Sequence, residues 1–174
     1  MSAMEFTYDL IYSEPILLAM PADHPLASSM DLSNNSPLTP YYIKPELVRN
    51  CDFIVLIPEQ GMGAIARDMF HKYNLNPNIV METQKHETAM RLASAGMGMV
   101  FTPVRTPLRI PLVKPMAYFS IENPIFTRSR GVYYSKYVPL SEAARCFIHV
   151  FNEVYNHESS LKIPDCHLII PPPP

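Results

Sequence analysis

Between Cys51 and Pro103 the chain alternates short apolar runs with segments of helical period, and this order constrains the fold more than any other feature. The runs DFIVLIPE, NIVMET and MGMVFTP each predict a buried strand. Between them lie two segments whose apolar residues recur at the i, i+3, i+4 and i+7 spacing of an amphipathic helix. Because strands joined through helices run parallel in one sheet, the block predicts an α/β fold.

Further elements are predicted on both sides of this block. PILLAMP, at residues 15–21, predicts a short strand bounded by prolines, and PLVKPMAYFSI and RGVYYSKY predict later strands. A final helix is predicted from about Ser141, with Ser141 as N-cap and Glu142 in the first turn. Its predicted apolar face comprises Leu140, Ala144, Phe147, Ile148, Phe151, Val154 and Tyr155. The tail from about Ser159, which ends in HLIIPPPP, is expected to be extended or disordered.

Composition excludes several classes of protein. Apolar residues make up 48% of the 174 residues, so we expect a packed core. The net charge of −2 does not provide the basic surface that nucleic-acid binding needs. No apolar run approaches the roughly 20 residues of a membrane span, and MSAMEFTYDLIYSE lacks the basic start of a secretory signal. The three cysteines have no C-x-x-C spacing, which is typical of reduced cytoplasmic thiols, and Cys51 and Cys146 are expected to be small buried residues.

The tripeptide GMG occurs twice, and its two copies have different surroundings. Gly61-Met62-Gly63 follows a predicted strand and begins a helix, where free N–H groups attract anions. No third glycine stands three residues after Gly63 and no G-K-[S/T] follows, so the segment is neither a dinucleotide fingerprint nor a P-loop. A ligand-binding loop and a tight turn both remain open. In the second copy, Gly96 is predicted to be a left-handed helix C-cap and Gly98 a tight turn into the next strand.

The residues of catalysis are not grouped in this sequence. Asp52 with Glu59, or Glu82 with Glu87, are the conceivable carboxylate pairs, and no other feature supports hydrolysis. The histidines lack the spacing of metal ligands, and His149 is expected on the surface of the last helix. We therefore expect a binding module with no catalytic residue, no metal and no cofactor.

Four stretches, in order, resemble the effector-binding (C-terminal, substrate-binding) domain of LysR-type transcriptional regulators. They are SEPILLAMPADHPLA, CDFIVLIPEQGMGAIARDMF, NPNIVMETQKHETAMRLASAGMGMVFTP and GVYYSKYVPLSEAARCFIHVF. The likeness covers about residues 10–156, and the third stretch is the most specific. Single pieces such as HPLA are common, but four in register are a strong signal.

The resemblance implies a periplasmic-binding-protein-like (type II) α/β fold, mainly its second lobe plus the crossing strands and the C-terminal helix. In that fold two lobes are joined by two crossing strands, here near PILLAMP and PLVKPMAYFSI, and a small molecule lies in the cleft. Residues 1–21 would be a first-lobe remnant and crossing strand, 22–112 the second lobe, 113–157 the return strand, late strand and C-terminal helix of the first lobe, and 158–174 the tail. The family's winged helix-turn-helix and early first-lobe elements have no match, so the domain is expected to be incomplete at its N-terminus.

The family's ligand loops match the segments 58–62, 84–88 and 102–104. The effector-binding residues implied by this match are Pro58, Glu59, Gln60, Gly61, Met62, Gln84, Lys85, His86, Thr88, Thr102, Pro103 and Val104. Lys85, His86 and Arg105 add positive charge there, so a polar or anionic metabolite is expected. Lys85 and Arg105 as solvated surface cations are the alternative.

The resemblance implies the ligand-sensing part of a bacterial, cytoplasmic transcription regulator. Its partners would be a small-molecule effector, a second copy or higher oligomer of itself, and DNA through a helix-turn-helix domain that this chain lacks, with no membrane contact. Two alternatives stay open. One is a solute-binding protein of a transport system, and the other is a dehydratase-type enzyme on the same fold.

Overall fold

A computed structural model describes residues 6–158 of the chain. The predicted tail and Cys166 lie outside these residues. The described residues form β1 (Phe6–Pro21), α1 (Pro25–Ser28), β2 (Tyr41–Tyr42), a 3-10 turn (Pro45–Val48), β3 (Asp52–Leu56), α2 (Gly61–Lys72), β4 (Asn78–Thr83), α3 (His86–Ser94), β5 (Val100–Pro103), β6 (Met116–Ser120), β7 (Thr127–Ser135) and α4 (Glu142–Glu158).

The described chain divides into two compact units. Unit 1 contains residues 6–14 and 127–158, and unit 2 contains residues 15–126. Strand β1 begins in unit 1 and continues into unit 2, and the chain returns to unit 1 between Phe126 and Thr127. The lobe boundaries implied by the family resemblance stay a prediction.

Unit 2 contains two sheets. In one, the strand order is β2-β6-β1-β5, and β1 pairs antiparallel with both β5 and β6. In the other, β3 and β4 are parallel, as the alternating pattern predicts. Strand β5 departs from the prediction of one parallel sheet because it pairs antiparallel with β1. Only Met99, directly before β5, continues the parallel order, through a bridge to Phe53.

The core of unit 2 is built where α2 and β5 meet β3. The Phe53 ring packs edge-to-face on Phe70 with 5.0 Å between centroids, and Phe101 lies 5.7 Å from Phe53 and 5.9 Å from Phe70. All three rings are buried. Such aromatic pairs contribute about 0.5–1.5 kcal/mol beyond the area that they bury. The aromatic cluster therefore fixes α2 against the two strands whose ends carry the candidate site.

The end of α3 confirms the structural role predicted for Gly96. Its φ of +101° is in the region that favours glycine. The Gly96 N–H donates to the Ala93 carbonyl at 2.9 Å, and the Met97 N–H donates to the Leu92 carbonyl at 3.2 Å. This pair of bonds is a Schellman motif, which satisfies the last carbonyls of the helix.

Unit 1 contains the first half of β1, β7 and α4. Strand β7 pairs with β1. The Tyr12 ring stacks on Tyr155 of α4 with 4.3 Å between centroids. The predicted N-cap is confirmed, since Ser141 Oγ accepts a hydrogen bond from the Ala144 N–H at 3.2 Å. The predicted face of α4 is only partly buried, because Phe147 remains 63% exposed.

Two predictions of local structure require correction. The strand predicted at PILLAMP begins nine residues earlier, at Phe6, because extended pairing with β7 precedes the apolar run. Cys146 is exposed rather than buried, since it lies on a side of α4 that no described element covers, and Cys51 is half-buried. The short elements α1 and β2 were not predicted, because two to four residues carry no detectable period.

Candidate functional site

Strands β3 and β4 end side by side at one edge of their sheet. Leu56 is the register partner of Thr83, and the Ile57 N–H donates to the Thr83 carbonyl at 3.1 Å. Each strand is followed by a helix, α2 from Gly61 and α3 from His86. The two helix N-termini therefore lie at the same edge, together with the predicted segments 58–62 and 84–88.

Neither helix is capped by a side chain. Gln60 and Lys85 occupy the N-cap positions with extended backbones, and neither side chain makes a capping hydrogen bond. The first turn of α2 contains no acid, whereas that of α3 contains Glu87. The first N–H groups of a helix have no partner within it and carry partial positive charge. Two such ends at one sheet edge can receive the oxygen atoms of a ligand.

The third predicted segment is joined to α3 by a side-chain hydrogen bond. His86 Nε2 lies 3.0 Å from Thr102 Oγ1. Thr102 is fully buried at the end of β5, and its hydroxyl also donates to the Pro103 carbonyl at 3.2 Å. This contact holds the half-buried His86 ring against the strand end. The structure thus brings all three predicted segments to one region of unit 2.

The predicted site residues differ in exposure, which separates two roles. Met62, Thr102, Pro103 and Val104 are buried and can only position the surrounding backbone and side chains. The exposed members, which a ligand can contact directly, are Pro58, Glu59, Gln60, Gly61, Gln84, Lys85 and Thr88.

The first GMG tripeptide contains one glycine with a defined structural role. A Cβ atom on Gly63 would lie 2.1 Å from the Ile57 carbonyl oxygen and 2.6 Å from that of Leu56. The helix therefore packs so closely on the end of β3 that no side chain fits. Gly61 has open space around the same position. Of the two alternatives, a tight junction accounts for Gly63, and contact with a ligand stays possible for Gly61.

Sequence reasoning missed Arg67, which links the end of β3, the first turn of α2 and strand β4 through hydrogen bonds. Its Nη1 donates to the Leu56 carbonyl at 2.8 Å and to the Gly63 carbonyl at 3.0 Å, and its Nη2 donates to Glu82 on β4. The spacing of Gly63 and Arg67 by four residues was visible in the sequence. The partner on the neighbouring strand was not, because it depends on the register of β3 with β4.

Three of the acids that the sequence offers as carboxylate pairs, Asp52, Glu82 and Glu87, contact other partners. Asp52 Oδ1 accepts a hydrogen bond from Asn78 at 2.7 Å. Glu87 lies 3.8 Å from Arg91, one turn further along α3. Within residues 6–158 no group of three histidine, cysteine or acidic side chains is arranged to hold a metal ion.

Two grooves of unit 2 lie away from the predicted segments. The larger, of about 630 Å³, is lined by Tyr42, Lys44, Pro45, Glu46, Tyr73, Ile121, Glu122, Asn123 and Pro124. The smaller, of about 280 Å³, is lined by Pro21, His24, Asn50, Cys51, Asp52, Gly96, Met97 and Gly98. In the smaller groove, burial lowers the pKa of His24, and burial together with the Asp52 charge raises the pKa of the Cys51 thiol. The thiol is therefore not activated as a nucleophile.

The family comparison identifies the class of protein. The LysR substrate binding domain matches residues 2–156, and the chain belongs to this family. A curated relative is the uncharacterized HTH-type transcriptional regulator YybE of Bacillus subtilis (strain 168). It is 28% identical over 93 residues, which span 53% of this chain and 28% of that regulator's length.

Solved structures show the same fold. The Synechocystis PCC6803 CcmR regulatory domain in complex with 2-PG has a TM-score of 0.70 at 16% identity, covering 88% of this chain and 68% of its own. The effector binding domain of QuiR in complex with shikimate has a TM-score of 0.64 at 15% identity, covering 91% and 68%. The predicted family and the type II periplasmic-binding-protein-like fold class are thereby confirmed. No helix within the described part of the chain is long and apolar enough to cross a membrane.

Proposed function

We propose that this chain senses a small polar or anionic metabolite at the edge where β3, β4 and β5 end. The ligand-contacting residues are the exposed members of the segments 58–62 and 84–88, with His86 positioned by Thr102. In the regulator fold, this edge is one wall of the interlobe cleft that the family resemblance implies. The single observation that carries the proposal is the register pairing of Leu56 with Thr83, which brings two uncapped helix N-termini together.

The charges around this edge support an anionic group on the ligand. Lys85, at the N-cap of α3, is exposed and carries a positive charge next to the first N–H groups of the helix. Positive charge at a helix N-terminus is unfavourable without an anion, so a bound carboxylate or phosphate would relieve it. Arg67, in contrast, is engaged with Glu82 and two carbonyls. We therefore assign Lys85, rather than Arg67, to the ligand.

Signalling is part of the proposal. Ligand binding would stabilise one arrangement of a dimeric or higher-order regulator and so change how helix-turn-helix domains engage an operator. The DNA contacts would belong to the helix-turn-helix domain that the family resemblance implies. The proposal includes a cytoplasmic location, since a regulator must reach its operator.

Thermal-shift and calorimetric titration with small carboxylates, phosphorylated acids, sugars and amino acids tests the ligand class. Shikimate and 2-PG are suitable first probes, because similar effector domains are known in complex with them. We expect stabilisation by an anionic compound and at least about a tenfold loss of its affinity in Lys85→Met. Stabilisation by neutral compounds alone would contradict the anionic class.

The matched control is Lys72→Met, which removes a cation from the last turn of α2, at the opposite end of that helix from Gly61. Lys72 pairs with Glu122, outside the predicted segments, so its loss is expected to leave ligand affinity unchanged. Equal losses in the two variants would indicate general electrostatic attraction and not a site at the helix N-terminus.

The same titrations address the two other classes of protein. A transport-type binding protein is favoured if a ligand binds and no DNA response follows when the effector domain is joined to a helix-turn-helix domain. A dehydratase would need a carboxylate pair, whereas Asp52, Glu82 and Glu87 contact Asn78, Arg67 and Arg91 respectively. Turnover of any bound hydroxy acid would overturn the assignment as a sensor.

A further inference from the structure

The larger groove of unit 2 forms where two parallel strands end. Tyr42 on β2 is the register partner of Ser120 on β6, and the Ile43 N–H donates to the Ser120 carbonyl at 2.9 Å. Beyond these residues the two segments part, because one enters the 3-10 turn and the other continues through residues 121–124. Ligands of α/β folds commonly lie beyond the carboxyl ends of parallel strands. The groove volume of about 630 Å³ is also typical of a small-molecule site.

One wall of this groove is held in place by hydrogen bonds. Ser120 is buried, and its hydroxyl donates to the Glu122 carbonyl at 2.5 Å and accepts from the Glu122 N–H at 3.1 Å. The Glu122 carboxylate is only 15% exposed and accepts a hydrogen bond from Lys72 at 2.7 Å. Burial, together with a hydrogen bond to Glu122, raises the pKa of Tyr73. The charge of Glu122 therefore already has partners within the protein.

The opposite wall contains two charges of opposite sign that are not paired. Lys44 and Glu46 both line the groove and are exposed. Within residues 6–158 neither side chain makes a hydrogen bond or an ion pair with another residue. The buried Pro45 lies between them along the chain. This wall therefore offers one cation and one acid to a ligand, on either side of an apolar residue.

Apolar and aromatic side chains form the rest of the groove. Ile121 is buried, the half-buried Tyr42 and Tyr73 contribute their rings, and Pro124 is a further lining residue. Small-molecule sites combine apolar and aromatic surface with a few polar groups that fix the orientation of the ligand. The groove has this composition.

We propose that this groove binds a free α-amino acid with an apolar or aromatic side chain. The carboxylate of the ligand pairs with Lys44, its ammonium group pairs with Glu46, and its side chain lies against Ile121. The ligand class follows from the two unpaired charges. A dicarboxylate would bring like charge to Glu46, and a sugar would pair with neither charge, whereas a zwitterion pairs with both.

The groove is separate from the edge where β3 and β4 end. Gly61 begins α2 at that edge, and Tyr73 follows the last residue of the same helix. A helix of 12 residues is about 18 Å long. The amino-acid site requires neither the anionic effector nor Lys85, so either proposal can fail while the other stands.

Calorimetric titration of the full chain with L-phenylalanine and L-leucine tests the ligand class. Each amino acid is compared with two analogues that lack one charge. For phenylalanine these are 3-phenylpropionate and 2-phenylethylamine, and for leucine they are 4-methylpentanoate and 3-methylbutylamine. We expect at least one amino acid to bind, and both of its analogues to bind at least about tenfold more weakly.

Three outcomes of these titrations overturn the proposal. The first is no binding of either amino acid up to about 10 mM. The second is an analogue that binds as tightly as its amino acid, because one of the two charges would then have no role. The third is binding of an oligoproline peptide in place of any amino acid, because aromatic-lined grooves also bind proline-rich segments.

Two variants locate the amino acid within the groove. Lys44→Met and Glu46→Gln each remove one charge from an exposed side chain, and each should weaken amino-acid binding at least about tenfold. In Lys44→Met, the amino acid and its amine analogue should bind with similar affinity, because the carboxylate has lost its partner. In Glu46→Gln, the same is expected of the amino acid and its carboxylate analogue.

The matched control is Arg49→Met, which removes an exposed cation at the end of the 3-10 turn that does not line the groove. This change should leave amino-acid affinity unchanged. An equal loss in Arg49→Met and Lys44→Met would indicate general electrostatic attraction and contradict the proposal. A loss in Lys85→Met without one in Lys44→Met would place the amino acid at the edge of β3 and β4 and contradict it as well.

Discussion

His86 Nε2 and Thr102 Oγ1 are 3.0 Å apart, and their hydrogen bond joins the first turn of α3 to the end of β5. Thr102 is fully buried, so water cannot replace this partner once the hydroxyl is removed. We expect Thr102→Val, which keeps the shape of the side chain, to lower the free energy of unfolding by about 1 kcal/mol. The exposed Thr88 provides the control, since Thr88→Val should change the free energy of unfolding by less than about 0.5 kcal/mol. Urea denaturation measures both, and equal effects would contradict a role for the buried hydrogen bond.

The two glycines at the start of α2 should respond oppositely to the same substitution. In Gly63→Ala, the new Cβ would meet the Ile57 carbonyl at 2.1 Å, and backbone must move to relieve the overlap. We expect this variant to lower the free energy of unfolding by about 1–3 kcal/mol or more. In Gly61→Ala, the new methyl group has no neighbour within 4 Å, and the lower backbone entropy of alanine should make the change neutral or stabilising by up to about 1 kcal/mol. Thermal and urea unfolding of the pair would show whether Gly63 is needed only for close packing.

Much of the framework around the site could be predicted because it is encoded locally. The predicted strand NIVMET coincides with β4 at both ends, and the helical period between Met62 and Tyr73 coincides with α2. Gly96 was recognised as a helix end because a left-handed residue is needed there. Each of these features depends on neighbours within a few residues of the chain.

The features that could not be predicted depend on contacts between distant residues. The antiparallel pairing of β5 with β1, such as Leu18 with Phe101, could not be predicted, because apolar periodicity does not show which strands become neighbours in a sheet. The contact of Arg67 with Glu82 could not be predicted either, because it depends on the register of β3 with β4. The family resemblance supplied the candidate segments, and only the fold shows that four of the predicted residues are buried.

His24 should make the stability of the protein depend on pH. Burial lowers its pKa below the ordinary value of 6.5, against the opposing charges of Asp23 and Asp52. Its Nδ1 accepts a hydrogen bond from the Leu26 N–H at 3.2 Å, which only the unprotonated nitrogen can do. Because the folded-state pKa is lower, the stabilisation is present above the unfolded-state pKa and is lost as the pH falls below it.

We therefore expect the free energy of unfolding to decrease between about pH 7.5 and pH 5.5, and His24→Asn to reduce this slope. Asparagine can keep the capping acceptor without titrating. His149→Gln, on the exposed side of α4, is the control for removing a histidine outside the smaller groove. An unchanged slope in His24→Asn would assign the pH dependence to other groups.

The buried Glu14 in unit 1 distinguishes two arginines that contact it. Arg128 donates to Glu14 Oε1 through Nε at 2.7 Å and also through Nη2, and its side chain is 15% exposed. Arg130 lies 3.9 Å from the same oxygen and is 50% exposed. Removing Arg128 leaves a buried carboxylate without its main partner, so Arg128→Met should cost about 3–5 kcal/mol. Arg130→Met should cost less than about 1 kcal/mol, since an exposed ion pair is screened by water.

A double variant separates the loss of the ion pair from the cost of an unpaired charge. Glu14→Gln combined with Arg128→Met leaves no unpaired buried carboxylate, so it should recover a large part of the stability lost in Arg128→Met. Urea unfolding of the wild type, Glu14→Gln, Arg128→Met and the double variant gives the coupling energy between Glu14 and Arg128. If Arg130→Met proves as destabilising as Arg128→Met, both arginines stabilise the Glu14 carboxylate equally. The hydrogen bonds from Arg128 would then not be the main interaction of Glu14.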